Sequence, residues 1–171
     1  RRVLFRSAAR SVLLPSGEAR HLVVVSSILA RIGVPGYSGY CASKAGLLGL
    51  VRAMAAELAA DEVQVNAVCP GWVNTSMARE GLEGMAQALG TDVEEARASA
   101  MSEVPMGRMS DPADVAGMVA WLLSGAARRV TGQLLDMHGG AVMRFVRRPD
   151  ARRVGREWMS GGPRAHANKN N

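Results

Sequence analysis

The sequence predicts an α/β fold built on a parallel sheet, and three observations predict it. Short apolar runs rich in β-branched residues alternate along the chain with longer segments of helical period. The runs are continuous rather than alternating, as in strands covered on both faces. The composition is 48% hydrophobic but only 4% aromatic, so small aliphatic side chains must fill closely spaced helix–sheet layers.

In chain order, residues 3–14 place Val3, Leu4, Ala8, Val12 and Leu13 at helical spacing, and Pro15-Ser16-Gly17 ends that segment. His21–Ser26, with Leu22-Val23-Val24-Val25, reads as a strand buried on both faces. A loop with Gly33, Pro35, Gly36 and Gly39 follows, and then a long helix from about Tyr40 to Ala60 that carries Leu47, Val51, Met54 and Leu58 at helical spacing. Val63–Val68 is the next strand, stopped by Pro70-Gly71. Residues 75–103 are polar-helical and punctuated by Gly81, Gly84 and Gly90, the character of a lid. Asp111-Pro112 opens another helix, a capping residue followed by proline at the first helical position. Gln133–Met137 is a last short strand, closed by Gly139-Gly140. No internal repeat is present.

The 171 residues imply one domain. Residues 1–143 carry 13 basic and 13 acidic side chains and residues 144–171 carry 8 and 2, so the net charge of +6 resides in the last segment. Residues 1–143 are therefore expected to be the globular part, and residues 144–171 a basic, disordered tail. A neutral body argues against a nucleic-acid-binding fold. Cys41 and Cys69 form neither a metal spacing nor a disulfide framework, which favours a reducing, cytoplasmic setting. No apolar run approaches the ~18–20 residues that cross a bilayer, and no metal site is expected.

The most informative pattern is Tyr40-Cys41-Ala42-Ser43-Lys44, with Ser27 thirteen residues before the tyrosine. Positions i and i+4 share a helix face, so a phenol and an ammonium there can act on one substrate atom. An unperturbed phenol titrates near ~10, and a nearby cation favours the phenolate, drawing proton exchange towards neutral pH. A serine hydroxyl reaching the same point from a strand end could hold a carbonyl oxygen. Together the three groups can protonate a ketone oxygen or deprotonate an alcohol.

Val23-Val24-Val25-Ser26-Ser27, Tyr40-Cys41-Ala42-Ser43-Lys44, Asn66–Thr75, Arg108–Ala116 and Val130–Gly140 occur in an order and spacing that resemble the short-chain dehydrogenase/reductase family over roughly residues 3–142. The resemblance implies a Rossmann-like doubly wound parallel sheet and an NAD- or NADP-dependent oxidoreductase that interconverts a ketone and a secondary alcohol. Within the family the chain is similar to 3-oxoacyl thioester reductases and hydroxyacid dehydrogenases. The resemblance gives Tyr40 the proton transfer. Lys44 would support it and hold the nicotinamide ribose, and Ser27 would bond the substrate oxygen. Val73 and Thr75 would contact the carboxamide, beside a wall shaped by Pro70 and Gly71. It also implies a homo-oligomer packed through the helix over residues 40–60.

The chain departs from the family pattern in more than one place. No glycine-rich phosphate loop follows a strand, so the sheet is expected to be partial, lacking the N-terminal dinucleotide-binding strands. The asparagine that the family carries on the helix before the serine strand has no counterpart, since Asn66 and Asn74 lie in other segments. The chain is accordingly expected to be the C-terminal part of an oxidoreductase. Two alternatives stay open: an inactive fragment acting through subunit association, and an anion binder driven by the basic tail.

Overall fold

A computed structural model describes residues 20–142. The helix expected over residues 3–14, the Pro15-Ser16-Gly17 turn and the basic segment 144–171 lie outside them. β1 (Arg20–Val25), β2 (Val63–Pro70) and β3 (Leu134–Met137) form a parallel sheet in that order. Parallel neighbours need a crossover, usually helical. Between β1 and β2 it is α1 (Ser38–Leu58); between β2 and β3 it comprises α2 (Ser76–Leu89), α3 (Val93–Ser102) and α4 (Pro112–Leu122).

The two faces of β2 follow from its sequence. Successive side chains alternate across a strand. Val63, Val65, Ala67 and Cys69 pack with Leu48, Val51, Met54, Ala55 and Leu58 of α1. On the opposite face, Val68 packs with Leu122 and, beside it, Val115, Met118 and Val119 of α4. All eight residues of β2 are buried. Each large aliphatic side chain so covered contributes roughly 1.5–3 kcal/mol.

The burial expected of the first strand belongs to the second. β1 is only partly covered, and Val25 is 50% exposed. Among the described residues β1 pairs on one side alone, with β2. The stretch expected to be a glycine-punctuated helical lid is two helices. Gly81 and Gly84 remain inside α2, and the break falls at Gly90, which adopts a left-handed φ of 67° after the last turn. At the head of α4, Asp114 Oδ2 accepts from Asp111 N at 2.8 Å, so the first turn is tied back to its cap. No helix of the described residues is long and apolar enough to cross a membrane.

Candidate active site

Every site residue expected from the sequence lies at the carboxyl rim of the sheet or on the helix turn beside it. In open α/β sheets this rim is where ligands bind. Ser27 sits just past β1 with extended backbone, and its Oγ accepts from Leu29 N at 3.1 Å, capping a short 3-10 turn at Ile28–Ala30. The serine is buried, and among the described residues its hydroxyl proton has no acceptor within reach.

Two bonds fix that strand end to α1. Ser26 Oγ donates to Lys44 O at 3.0 Å, and Lys44 Nζ donates to Val25 O at 3.2 Å. Ser26 N donates to Val68 O, so Ser26 faces β2 and the preceding carbonyl of Val25 faces the outer edge of β1. Lys44 therefore caps a carbonyl that no strand among the described residues pairs with. One helical turn earlier stands Tyr40, about one-third exposed, with Lys44 Nζ 5.6 Å from the centroid of its ring. The structure thus brings Tyr40, Lys44 and the strand end bearing Ser27 together.

Pro70 ends β2, and the segment after it is anchored from two sides. Gly71 N donates to Met137 O at 2.9 Å. Asn74 N donates to Ser110 O at 2.9 Å and Ser110 N to Trp72 O at 3.0 Å, around a bridge between Val73 and Ser110. Thr75 Oγ1 accepts from Ala78 N at 3.3 Å and donates to Val73 O at 3.2 Å, capping α2. Glycine is required at 71 by close approach. A Cβ there would lie 2.8 Å from His138 Cβ and 3.0 Å from its Cα. Gly71→Ala is expected to cost about 1–3 kcal/mol, because the Met137–Gly139 backbone must move; the shift in urea midpoint measures it.

Two residues that the sequence did not mark as site residues hold the sheet beneath the site, Arg31 beside the Ser27 turn and Asn66 within β2. Arg31 ends the Ser27 turn and reaches across to β3, where it donates to Asp136 and to Leu134 O. Asp136 is paired with that guanidinium. Asn66, buried in β2, donates to Val130 O at 2.8 Å and accepts from Gln133 N at 3.0 Å. The available signal was a polar side chain inside a β-branched run, which has to find partners. Beneath the rim, burial pushes the Cys69 thiol up; the Asp136 carboxylate adds to this, and Arg31 and Ser26 oppose it. Cys69 is thus held as a neutral thiol, unsuited to nucleophilic work.

The chain is similar to several known proteins. The family model described as enoyl-(acyl carrier protein) reductase matches residues 3–142. The 3-oxoacyl-[acyl-carrier-protein] reductase of Thermotoga maritima is 39% identical over 122 residues, which is 71% of this chain and 45% of that protein. Its counterpart in Rickettsia felis is 36% identical over 141 residues, 82% of this chain and 53% of that one. Among solved structures, an actinorhodin polyketide ketoreductase variant with NADPH matches with a TM-score of 0.69 at 39% identity, covering 72% of this chain and 47% of that one. A short chain dehydrogenase family protein from Francisella tularensis matches at 0.67 and 30% identity, covering 71% and 50%. The chain spans about half the length of the curated relatives it matches.

Proposed function

Since the chain belongs to the short-chain dehydrogenase/reductase family, we propose that it carries the proton-transfer half of an NAD(P)-dependent oxidoreductase for ketones and secondary alcohols, acting on 3-oxoacyl thioesters. The observation that carries this reading is the convergence of Tyr40, Lys44 and the Ser27 strand end at the carboxyl rim, held by the Ser26–Lys44 and Lys44–Val25 bonds.

The residues present fit the nicotinamide and ribose end of such a cofactor. Gly71 keeps the end of β2 free of a side chain, and Lys44 sets a cation on the same rim. No glycine-rich turn leads from a strand into a helix N-terminus among the described residues, so the pyrophosphate has no cradle there. When bound, the nicotinamide supplies the hydride. In that arrangement Tyr40 would give the proton to the carbonyl oxygen, and Lys44 would stabilise the phenolate left behind and bond the ribose hydroxyls. Ser27 would donate to the same carbonyl oxygen and fix its position. Pro70, Gly71, Val73 and Thr75 would line the carboxamide side. Cytoplasmic residence accords with this reading.

The test measures loss of reduced-cofactor absorbance with acetoacetyl-CoA, alongside a fluorescence titration of NADPH and NADH. Turnover that depends on one of the two nucleotides is the expected result. Absence of both binding and turnover would refute the enzymatic reading for this chain.

A second reading draws on α1. Ala42, Gly46, Gly49, Ala53, Ala56 and Ala60 fall on one exposed side of the helix and its terminal turn, with open space where Gly46 and Gly49 would carry a Cβ. Small residues permit close helix approach, so we place a homo-oligomer contact there. A chain acting only through that contact would bind a second copy without turnover. Sedimentation of Gly46→Arg against the parent tests it: an unchanged mass excludes α1 as the contact.

A further inference from the structure

We propose that Arg31 is a positioning residue for Ser27, acting through the short turn between them; the proposal rests on the oxidoreductase role given to Ser27 above. Ser27 and Arg31 bracket the 3-10 turn Ile28–Ala30, as its N-cap and C-cap. Within the turn, Ala30 N donates to Ser27 O at 3.1 Å and Arg31 N to Ile28 O at 2.8 Å. A three-residue turn with so few bonds holds its shape poorly alone, because fixing its dihedrals costs more than those bonds return.

Burial of Ile28 and packing of Ala30 against the core hold one side of the turn, and the Arg31 side chain adds a directed constraint at its far end. Its Nη2 donates to Leu134 O at 2.9 Å, and its Nε donates to Asp136 Oδ1 at 3.2 Å, with Nη2 also 3.1 Å from that oxygen. The Arg31 side chain is only 16% exposed but that of Asp136 is 39% exposed, so solvent screens the ion pair and the bond to Leu134 O is the better shielded of the two. Asp136 lies in register with Cys69 of β2, and the guanidinium also acts on the Cys69 thiol. One side chain therefore ties the end of β1 to β3 across the end of β2. The fork geometry is what permits a carbonyl and a carboxylate to be held at once; a lysine point charge offers no such fixed pair.

The consequence falls on Ser27 Oγ. Its orientation depends on the Leu29 N–H it accepts from, and that amide belongs to the braced turn. Releasing the far end lets the amide drift and the hydroxyl lose its direction. Misplacing a catalytic group by an ångström costs up to about 100-fold in rate.

The experiment has two arms, both on the 171-residue protein. In the first, amide exchange is followed at Leu29, Ala30 and Arg31, with Val65–Val68 of β2 as the reference for global opening. Arg31→Ala is expected to accelerate the three turn amides while the β2 amides hold, Arg31→Lys to do so less, and Asp136→Asn least. Unchanged turn protection in Arg31→Ala overturns the proposal. Should that variant fail to fold, Arg31→Lys and Asp136→Asn decide by the same criterion. In the second arm, Arg31→Ala is expected to lower kcat roughly 10–100-fold with little change in cofactor KM, and Arg31→Lys to recover part of it. In a Ser27→Ala background, Arg31→Ala should have no further effect on kcat; a multiplicative loss there overturns action through Ser27. If the parent neither binds nucleotide nor turns over, the oxidoreductase reading fails, while the exchange arm still decides the role of Arg31 in the turn.

Discussion

Replacing Tyr40 by phenylalanine is expected to reduce turnover by roughly 10²–10⁴-fold while leaving nucleotide affinity nearly unchanged. The substitution removes one oxygen and keeps the ring, which is about one-third exposed at the head of α1. It leaves the Lys44 Nζ bond to Val25 O intact, because that bond does not involve the phenol. The nucleotide binding proposed for Lys44 and the Pro70–Thr75 segment is therefore expected to persist, with only the proposed proton donor lost. A loss confined to kcat, with a normal fluorescence titration, is the signature of a group used in the transition state. Near-parental kcat in Tyr40→Phe would remove the phenol from the mechanism.

Asn66→Ala should have the largest effect on stability, about 2–4 kcal/mol. Asn66 is 1% exposed, and its amide occupies both a donor and an acceptor of the segment that leads into β3. That segment is also docked by Val65 N on Thr131 Oγ1, Gly132 N on Val65 O and Ala67 N on Gln133 O. Alanine would strip the Val130 carbonyl and the Gln133 N–H of their partner at once and leave a small void beside them. Leucine at this position would fill the space yet strand the same two groups. Urea unfolding should show the lower midpoint, and the Leu134–Met137 amides should lose exchange protection before those of α1. An unchanged midpoint would mean that the loop is held by its backbone bonds alone.

Local pattern carried much of the fold. The β-branched runs in β1 and β2 and the helical spacing of Val51, Met54 and Leu58 each reflect a face that must be buried, which a linear sequence displays directly. The Tyr40–Lys44 turn was legible for the same reason, since i,i+4 proximity is local. Long-range partners were not legible. Arg31 and Asp136 are 105 positions apart, and nothing near either residue announces the other. Asn66 was readable as a strand residue but not as the clasp of residues 130–133, which exists only once β2 and β3 lie side by side. The coverage expected of β1 failed because a β-branched run encodes propensity, whereas burial depends on which strands flank it. Thr75 shows a third case: the resemblance gave it a ligand contact, and the structure shows it also capping α2.

The Lys44 anchor has a consequence for how a cation of this kind works. An ammonium on a flexible four-carbon stem ordinarily samples many rotamers and must be gathered in when a partner arrives. Here the search is narrowed beforehand, because the Val25 main-chain oxygen keeps the charge near one place beside the aromatic ring. The entropy of immobilising that stem is spent during folding, leaving less to be lost when a small molecule docks.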